Sequence, residues 1–420
     1  MVTNTQIPTG YKQTDIGVIP QDWEVMTVDQ VAKVKGGKRV PKGKSLTDRE
    51  TSHPYIKVSD MTTSGSISTD DIQYVPEDVF PTIRNYRIFK DDIYISVAGT
   101  LGLVGFIPEK LDGANLTENA DRLTDIQCDK RYLYHFLSSP AIQKLIESMR
   151  TMGAQPKLAL TRINKFSLVI PTNEKEQEKI AQSLDDIDTF ISTLDELIEK
   201  KHNIKLGTMQ ELLTGKQRLP GFSGEWGKVA ICKLTKIPVS DGPHLTPEFL
   251  DDGIPFLSVN NLVNNKVDLK DLRYISRKDH EEFSKKCRPQ KNDILLGKAA
   301  SVGLVAVVDF DFEFNIWSPI AVIRLKEEHM PRYVYYLFQT RYVSDQIKLF
   351  TNSSSQGNLG MGDIEKIEIL VPKKNEQIAI AEALEDIDME IELLENKRNK
   401  YVNLKQGMMQ QLLTGKIRLI

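Results

Sequence analysis

The stretch EQEKIAQSLDDIDTFISTLDELIEKKHNIKLGTMQELLTGKQRL, Glu176 to Leu219, returns as EQIAIAEALEDIDMEIELLENKRNKYVNLKQGMMQQLLTGKIRL, Glu376 to Leu419. The two align without a gap at a shift of 200, and 23 of the 44 pairs are identical. Most matches fall in the blocks EQxxIAxxLxDID and MQxLLTGKxRL. Chance does not produce such agreement, so the chain contains a duplicated element, and a repeat outranks any short motif in deciding architecture.

Within the first copy, Ile180, Leu184, Ile187, Ile191, Leu194 and Ile198 recur at alternating spacings of four and three. The second copy sets Ile380, Leu384, Ile387, Ile391 and Leu394 in the same register. This is the apolar seam of a coiled coil, with Glu, Asp and Lys on the other faces. The pattern predicts a helix from about Glu174 to Thr214, and Gly215 and Gly415 stand where a C′ glycine would stop each helix. Two such seams in one chain are expected to pair with each other, antiparallel, relating the halves by a pseudo-two-fold; a helix packed on its own globular domain is the competing reading.

Upstream of each helix the resemblance is fainter but keeps its order. PYIKVSDM (Pro54 to Met61) matches PFLSVNNL (Pro255 to Leu262), and RIFKDDIYISVAGTLGLV (Arg87 to Val104) matches RPQKNDILLGKAASVGLV (Arg288 to Val305). Short strands are expected at 55–58, 92–97 and 166–170, and at 255–259, 293–296 and 367–371. Helices are expected over 138–149 and 332–350. The chain therefore reads as α/β, a tandem duplication of a globular domain followed by a long helix: 1–170 and 171–220, then 221–371 and 372–420. The helices stayed alike while the globular parts diverged, which suggests one task done twice beside two different tasks.

Composition narrows the class. The 420 residues are 40% hydrophobic and 27% charged, as expected of a soluble globular protein with real cores. No uncharged apolar run is long enough to span a membrane, and the N-terminus lacks a basic-then-apolar leader. Three scattered cysteines argue for reduced thiols in a cytoplasm, not for disulfides or a zinc site. Net charge is −3, so overall charge lends no support to nucleic-acid binding, although charge can be segregated onto one face.

Catalytic signatures are missing. Gly37 and Gly43 are separated by five residues where the glycines of a phosphate-binding P-loop are separated by four, and AGTLGLVG is not a dinucleotide fingerprint. There is no HExxH, GxSxG or Asn-Pro-Pro-aromatic tetrapeptide, and the six histidines are not repeated between halves. A non-catalytic binding protein is expected, with no metal and no cofactor in this chain.

Three loop pairs are candidate contacts. Lys33 to Lys44 (KVKGGKRVPKGK) has six basic side chains and no acid, so Lys35, Lys38, Arg39, Lys42 and Lys44 could meet phosphates; an ordinary solvated loop is the competing reading. Its counterpart VSDGPHLTPEFL (Val239 to Leu250) is not basic but carries Asp241, His244 and Thr246, which could meet base edges, or could be only a turn. Gln155 and Lys157 correspond to Gln356 and Asn358, types suited to adenine, guanine or phosphate. Ser59 and Asp60 correspond to Asn260 and Asn261, where capping of a strand end is an equal alternative.

Taken in order, these blocks resemble the specificity (S) subunit of type I restriction–modification systems across nearly the whole chain. The residues that carry the resemblance are VIPTNEKEQEKIAQSLDDID (Val169 to Asp188) and LVPKKNEQIAIAEALEDID (Leu370 to Asp388). The LLTGKxRL endings, Asp241 to Leu262 and SSSQGNLGMGDIEKIEI (Ser353 to Ile369) add to it. The resemblance implies two target recognition domains, each reading half of a bipartite asymmetric site on double-stranded DNA. It also implies an antiparallel coiled coil acting as the spacer between them. Two adenine methyltransferase (M) subunits, which bind S-adenosylmethionine, would dock on this frame, with restriction (R) subunits as optional further members. The alternative is a coiled-coil scaffold that binds protein only. A fused single-chain methyltransferase is not expected, because no room for a catalytic domain remains between the repeats and the ends of the sequence.

Overall fold

The computed structural model describes residues 7–149, 157–352 and 357–420. Two helices of 39 residues dominate it, α1 (Glu174–Leu212) and α2 (Lys374–Leu412). Both stop where the sequence places the glycine: Gly215 and Gly415 adopt φ of 70° and 69°, a region that costs a residue with a Cβ.

The chain forms two compact units that cut across both helices. Unit 1 takes Met1–Asp195 with Asn396–Ile420, and unit 2 takes Glu196–Glu395. Each unit thus holds one globular part, the first half of the helix that follows it, and the second half of the other helix.

In unit 1 the main sheet is antiparallel, in the order Lys33–Gly36, Ala120–Thr124, Ile93–Ser96, Val104–Phe106. Ile93 to Ser96 is buried throughout, as a central strand covered on both faces must be. A second sheet contains a parallel pair, Pro54–Ile56 with Ala114–Leu116. Trp23–Thr27 pairs separately with Ser167–Pro171, which leads into α1. Unit 2 repeats the main sheet strand for strand: Ser240–Asp241, Ile320–Ile323, Ile294–Gly297, Val305–Val307. Its parallel pair is Ile254–Leu257 with Asn315–Ile316, and Gly227–Ala230 pairs with Glu368–Val371 ahead of α2. The duplication therefore extends to topology, even where sequence identity has faded.

Two helices were expected to be continuous, and 332–350 is not. Pro331–Phe338 and Arg341–Asn352 are separated at Gln339 and Thr340, where the Thr340 hydroxyl accepts from the Val343 amide and caps the second helix. The unit 1 equivalent divides in the same way at Ser139, which caps Pro140–Ser148.

The seams serve two purposes. In unit 1, Ile180, Ala181 and Leu184 join the domain core together with Met409, Leu412 and Leu413 of the other helix. In unit 2, Ile380, Ala381 and Leu384 do the same with Met209, Leu212 and Leu213. Farther along, Leu194 and Ile391 are buried, while Ile187 is 7% exposed and Ile191, Ile387 and Leu394 are half-buried. Within each unit the helix halves run antiparallel, since partners rise in number on one helix as they fall on the other. Unit 1 pairs Asp188 with Lys405, Phe190 with Tyr401 and Asp195 with Arg398. Unit 2 pairs Asp388 with Lys205 and Glu390 with Lys201.

The LTGKxRL endings lock these halves in place. Arg418 grips Glu176 through Nε at 2.6 Å and Nη2 at 2.8 Å, and also reaches both carboxylate oxygens of Asp22. Trp23 donates its indole N–H to the same Glu176 at 3.2 Å, and the Arg418 guanidinium lies over the Trp23 ring. Unit 2 reproduces the assembly with Arg218, Glu376 and Trp226. Hydrogen bonds to these carboxylates hold both arginines above their ordinary proton affinity, and Arg418 lowers the pKa of Asp22. The next residue of the motif bridges elements: Gln177 accepts from the Asp129 amide and donates to the Pro171 carbonyl, as Gln377 does with Met330 and Pro372.

Glu176 is 2% exposed, so removing its carboxylate takes away one of the two acids that pair with Arg418 and leaves the buried Trp23 indole N–H without its acceptor. Glu176→Ala is expected to cost about 3 kcal/mol in denaturant unfolding, the lower end for a broken buried ion pair. Glu176→Ala and Arg418→Ala combined should cost less than the sum of the two, which a double-mutant cycle measures. A second expectation concerns close packing. A Cβ on Gly37 would lie 2.0 Å from the Thr117 carbonyl oxygen, and one on Gly242 would lie 1.9 Å from that of Ile316. Gly37→Ala and Gly242→Ala should both lower the melting temperature, whereas Gly207→Ala, in open space on α1, should not.

Candidate nucleic-acid interface

Both candidate loops leave the same place in the fold, the outer strand of the main sheet. In unit 1 that strand is Lys33–Gly36, and the backbone then passes directly over Leu116 and Thr117, with Gly37 N–H bonding Ala120 O and Lys38 N–H bonding Leu116 O. The close passage is why Gly37 has no side chain. Lys35, Lys38, Arg39, Lys42 and Lys44 are all exposed. Arg39 is tied to Glu118 and Lys44 to Asp78, both at 2.5 Å, and Lys33 to Asp125 at 2.9 Å. Lys35, Lys38 and Lys42 have no carboxylate within ion-pair distance among the described residues; Lys38 lies over the Tyr86 ring. The basic loop therefore keeps three uncommitted lysines, a smaller surplus than its sequence suggests.

Lys157 lies near Asp121, the residue opposite Gly36. It forms a bridge with Ala98, in the turn after the central strand Ile93–Ser96. Asn358 occupies the matching segment of unit 2, where the following Leu359 N–H bonds Lys298 O. The structure thus brings Lys157 to the turn after the central strand, near Asp121, and Asn358 to the turn that carries Lys298. Gln155 and Gln356 lie outside the described residues.

In unit 2 the outer strand ends at Asp241. Its carboxylate is 1% exposed and held by Lys286 at 2.5 Å and Lys298 at 3.1 Å. Burial opposes its ionisation, but these two lysines outweigh that and keep its pKa below the ordinary value. Asp241 is thus a buried anchor for two lysines, and the reading of it as a direct base contact gives way to that role. His244 and Thr246 do stand in solvent.

Asp60 and Asn261 are also spent internally. Asp60 accepts from the Lys57 amide at 2.7 Å and Asn261 from the Ser258 amide at 2.9 Å, each closing a short 3-10 turn after the strand. At 5% and 7% exposed, both take the capping role, while their neighbours Ser59 and Asn260 are exposed.

One buried group had no signal in the sequence. Asp121, on the strand beside Lys33–Gly36 and opposite Gly36, is 5% exposed, and its Oδ2 has no hydrogen-bond partner among the described residues. Burial raises its pKa to about 6, against the pull of Lys157. Only the paired strand explains its surroundings, so spacing along the chain could not have found it. Among the described residues no three His, Cys, Asp or Glu side chains converge in a way that could hold a metal ion, and no helix is long and apolar enough to cross a membrane.

A family model, the type I restriction modification DNA specificity domain, matches residues 20–203 and again 226–403. The chain belongs to that family. Specificity subunits are its relatives along nearly their full length. The type I restriction enzyme MjaVIII specificity subunit of Methanocaldococcus jannaschii is 23% identical, over 95% of this chain and 94% of that protein. The EcoBI specificity subunit of Escherichia coli is 21% identical, over 95% and 87%. The solved S subunit of the type I restriction–modification system from M. genitalium shares the fold, with a TM-score of 0.59 at 16% identity, covering 93% of this chain and 96% of that one. The repeated family match agrees with the tandem duplication seen in the strand order of the two units.

Because its folded pKa lies above the unfolded value of 3.8, Asp121 favours folding only while protonated. Its contribution is complete below about pH 4 and is lost as pH rises through about 6. Asp121→Asn should therefore gain in melting temperature relative to the native chain between pH 4 and pH 8. A constant difference across that range would show that the carboxyl is not titrating there.

Proposed function

We propose that this chain is the DNA sequence-recognition subunit of a type I restriction–modification complex, non-catalytic itself, in which each unit reads one half of a bipartite asymmetric site. The observation that carries the reading is the contrast between frame and loops. Both units have the same sheet order and the same Arg–Glu–Trp clasp, yet the outer strand opens into KVKGGKRVPKGK in one and into DGPHLTPEF in the other. A fixed frame carrying unlike surfaces is what two different half-sites require. A protein-only scaffold would not need one of its two equivalent loops to keep uncommitted lysines.

In this reading Lys35, Lys38, Lys42 and Lys157 meet phosphates, while His244, Thr246, Ser59, Asn260 and Asn358 meet bases or sugar. Two methyltransferase subunits dock on the alike helices, bring S-adenosylmethionine, and carry out adenine methylation; a restriction subunit joins where the system also cleaves. The helix pair acts as the spacer, and the complex works in the cytoplasm.

The test is duplex binding by the chain co-expressed with its methyltransferase, using the site obtained by mapping methylated adenines in cells with and without the gene. Sequence-selective binding is expected. Lys35→Ala, Lys38→Ala and Lys42→Ala together should flatten the plot of log K against log salt by about 2 to 3 and leave the preferred sequence unchanged. Absence of any sequence-selective complex at moderate salt would overturn the reading.

A further inference from the structure

The loop that follows Asp241 presents one side chain that none of its hydrogen-bonding chemistry explains. Leu245 is 74% exposed, and among the described residues only Ile420 at the C-terminus exceeds it as an exposed large hydrophobic. An isolated exposed leucine is ordinary on a mobile surface, but this one is held. On its N-terminal side, Gly242 is pressed against Ile316 and accepts from Lys286 Nζ at 2.8 Å, and the Pro243 carbonyl accepts from the Ser318 amide at 3.2 Å. On its C-terminal side, the Phe249 ring packs against Phe256 and Trp317 and lies under the Arg273 guanidinium. Leu250 then hydrogen-bonds to Tyr274. Pro243 and Pro247 limit the backbone between these anchors. The tip His244-Leu245-Thr246 is therefore a stiff projection whose ordering entropy is already spent at folding.

This tip occupies the place in unit 2 that the basic loop occupies in unit 1. Where unit 1 offers lysines, unit 2 offers an apolar branch between a hydroxyl and an imidazole whose Nε2 lies 3.7 Å from the Asp241 carboxylate. In a DNA major groove the one apolar feature of a base edge is the thymine C5-methyl, set beside hydrogen-bonding atoms. We infer that Leu245 is a specificity-determining residue that contacts a thymine methyl in the half-site read by unit 2, with His244 and Thr246 as its polar neighbours. This rests on the DNA-reading function proposed above.

The experiment compares the native complex with Leu245→Ala on the mapped site, using duplexes in which each thymine of that half-site is replaced in turn by deoxyuridine, which removes only the methyl. The native complex should bind one uracil duplex about fourfold more weakly, the value of one buried methyl. Leu245→Ala should bind the thymine duplex more weakly than native, and should bind the thymine and uracil duplexes equally; Leu245→Met should restore discrimination. Equal loss by Leu245→Ala with discrimination intact would mean a wedge between base steps, and unchanged DNA binding with weaker methyltransferase assembly would mean a protein contact. Either result overturns the inference while leaving the DNA reading in place. No sequence-selective binding by the native complex would sink both.

Discussion

Everything in this structure hangs on a carboxylate that is nearly buried and must be neutralised by an arginine far away in sequence. Glu176 and Glu376 sit at the start of α1 and α2, at 2% and 3% exposure, beside tryptophans of the domain floor. A carboxylate so placed is costly unless paired. Its partner, Arg418 or Arg218, arrives at the end of the other long helix, 242 or 158 residues away. The clasp therefore demands that the two helices come together antiparallel within each unit, and that the residue after the helix-stopping glycine turn be an arginine. Once both clasps are closed, Ile180 and Leu184 can share a core with Met409 and Leu412, and the mirror set can do so in unit 2. Hydrophobic burial supplies the larger energy, but apolar seams tolerate register slips, whereas a bidentate arginine on one carboxylate does not.

The consequence is that neither globular part is complete on its own segment of chain. Unit 1 needs the last residues of the sequence, and unit 2 needs the end of α1. The shared frame must then be conserved between copies, since each helix serves both units. The loops bear no such obligation. This accounts for the uneven drift of the duplication: 23 identities among 44 helix-region pairs, against loops that no longer resemble each other in charge.

The sequence showed the repeat, the seams, the glycine stops and most strands, because these are local or periodic signals. It did not show the roles of the residues that match best. EQ and R in EQxxIA and LTGKxRL stood out as identical, but their contacts cross the fold, and no spacing along the chain encodes a partner 242 residues distant. The same holds in reverse for Asp60, Asn261 and Asp241. Their residue types suit base recognition, and only burial reveals that backbone amides and lysines already occupy them. Arg332 to Phe350 reads as one helix because Gln339 and Thr340 are tolerated inside one; a side-chain cap from Thr340 divides it.

The divergence between the loops is chemically directed. In unit 1, ion pairs consume Arg39 and Lys44 yet leave Lys35, Lys38 and Lys42 without a carboxylate partner among the described residues. In unit 2 Lys286 and Lys298, beside the loop, are both paired with the buried Asp241, so their charge is already committed within the protein. A reader that relies on phosphates gains affinity at any sequence, whereas one that relies on methyl and hydrogen-bond complementarity gains discrimination. In the proposed reading, one chain that carries both can be strict at one half-site while drawing general affinity from the other.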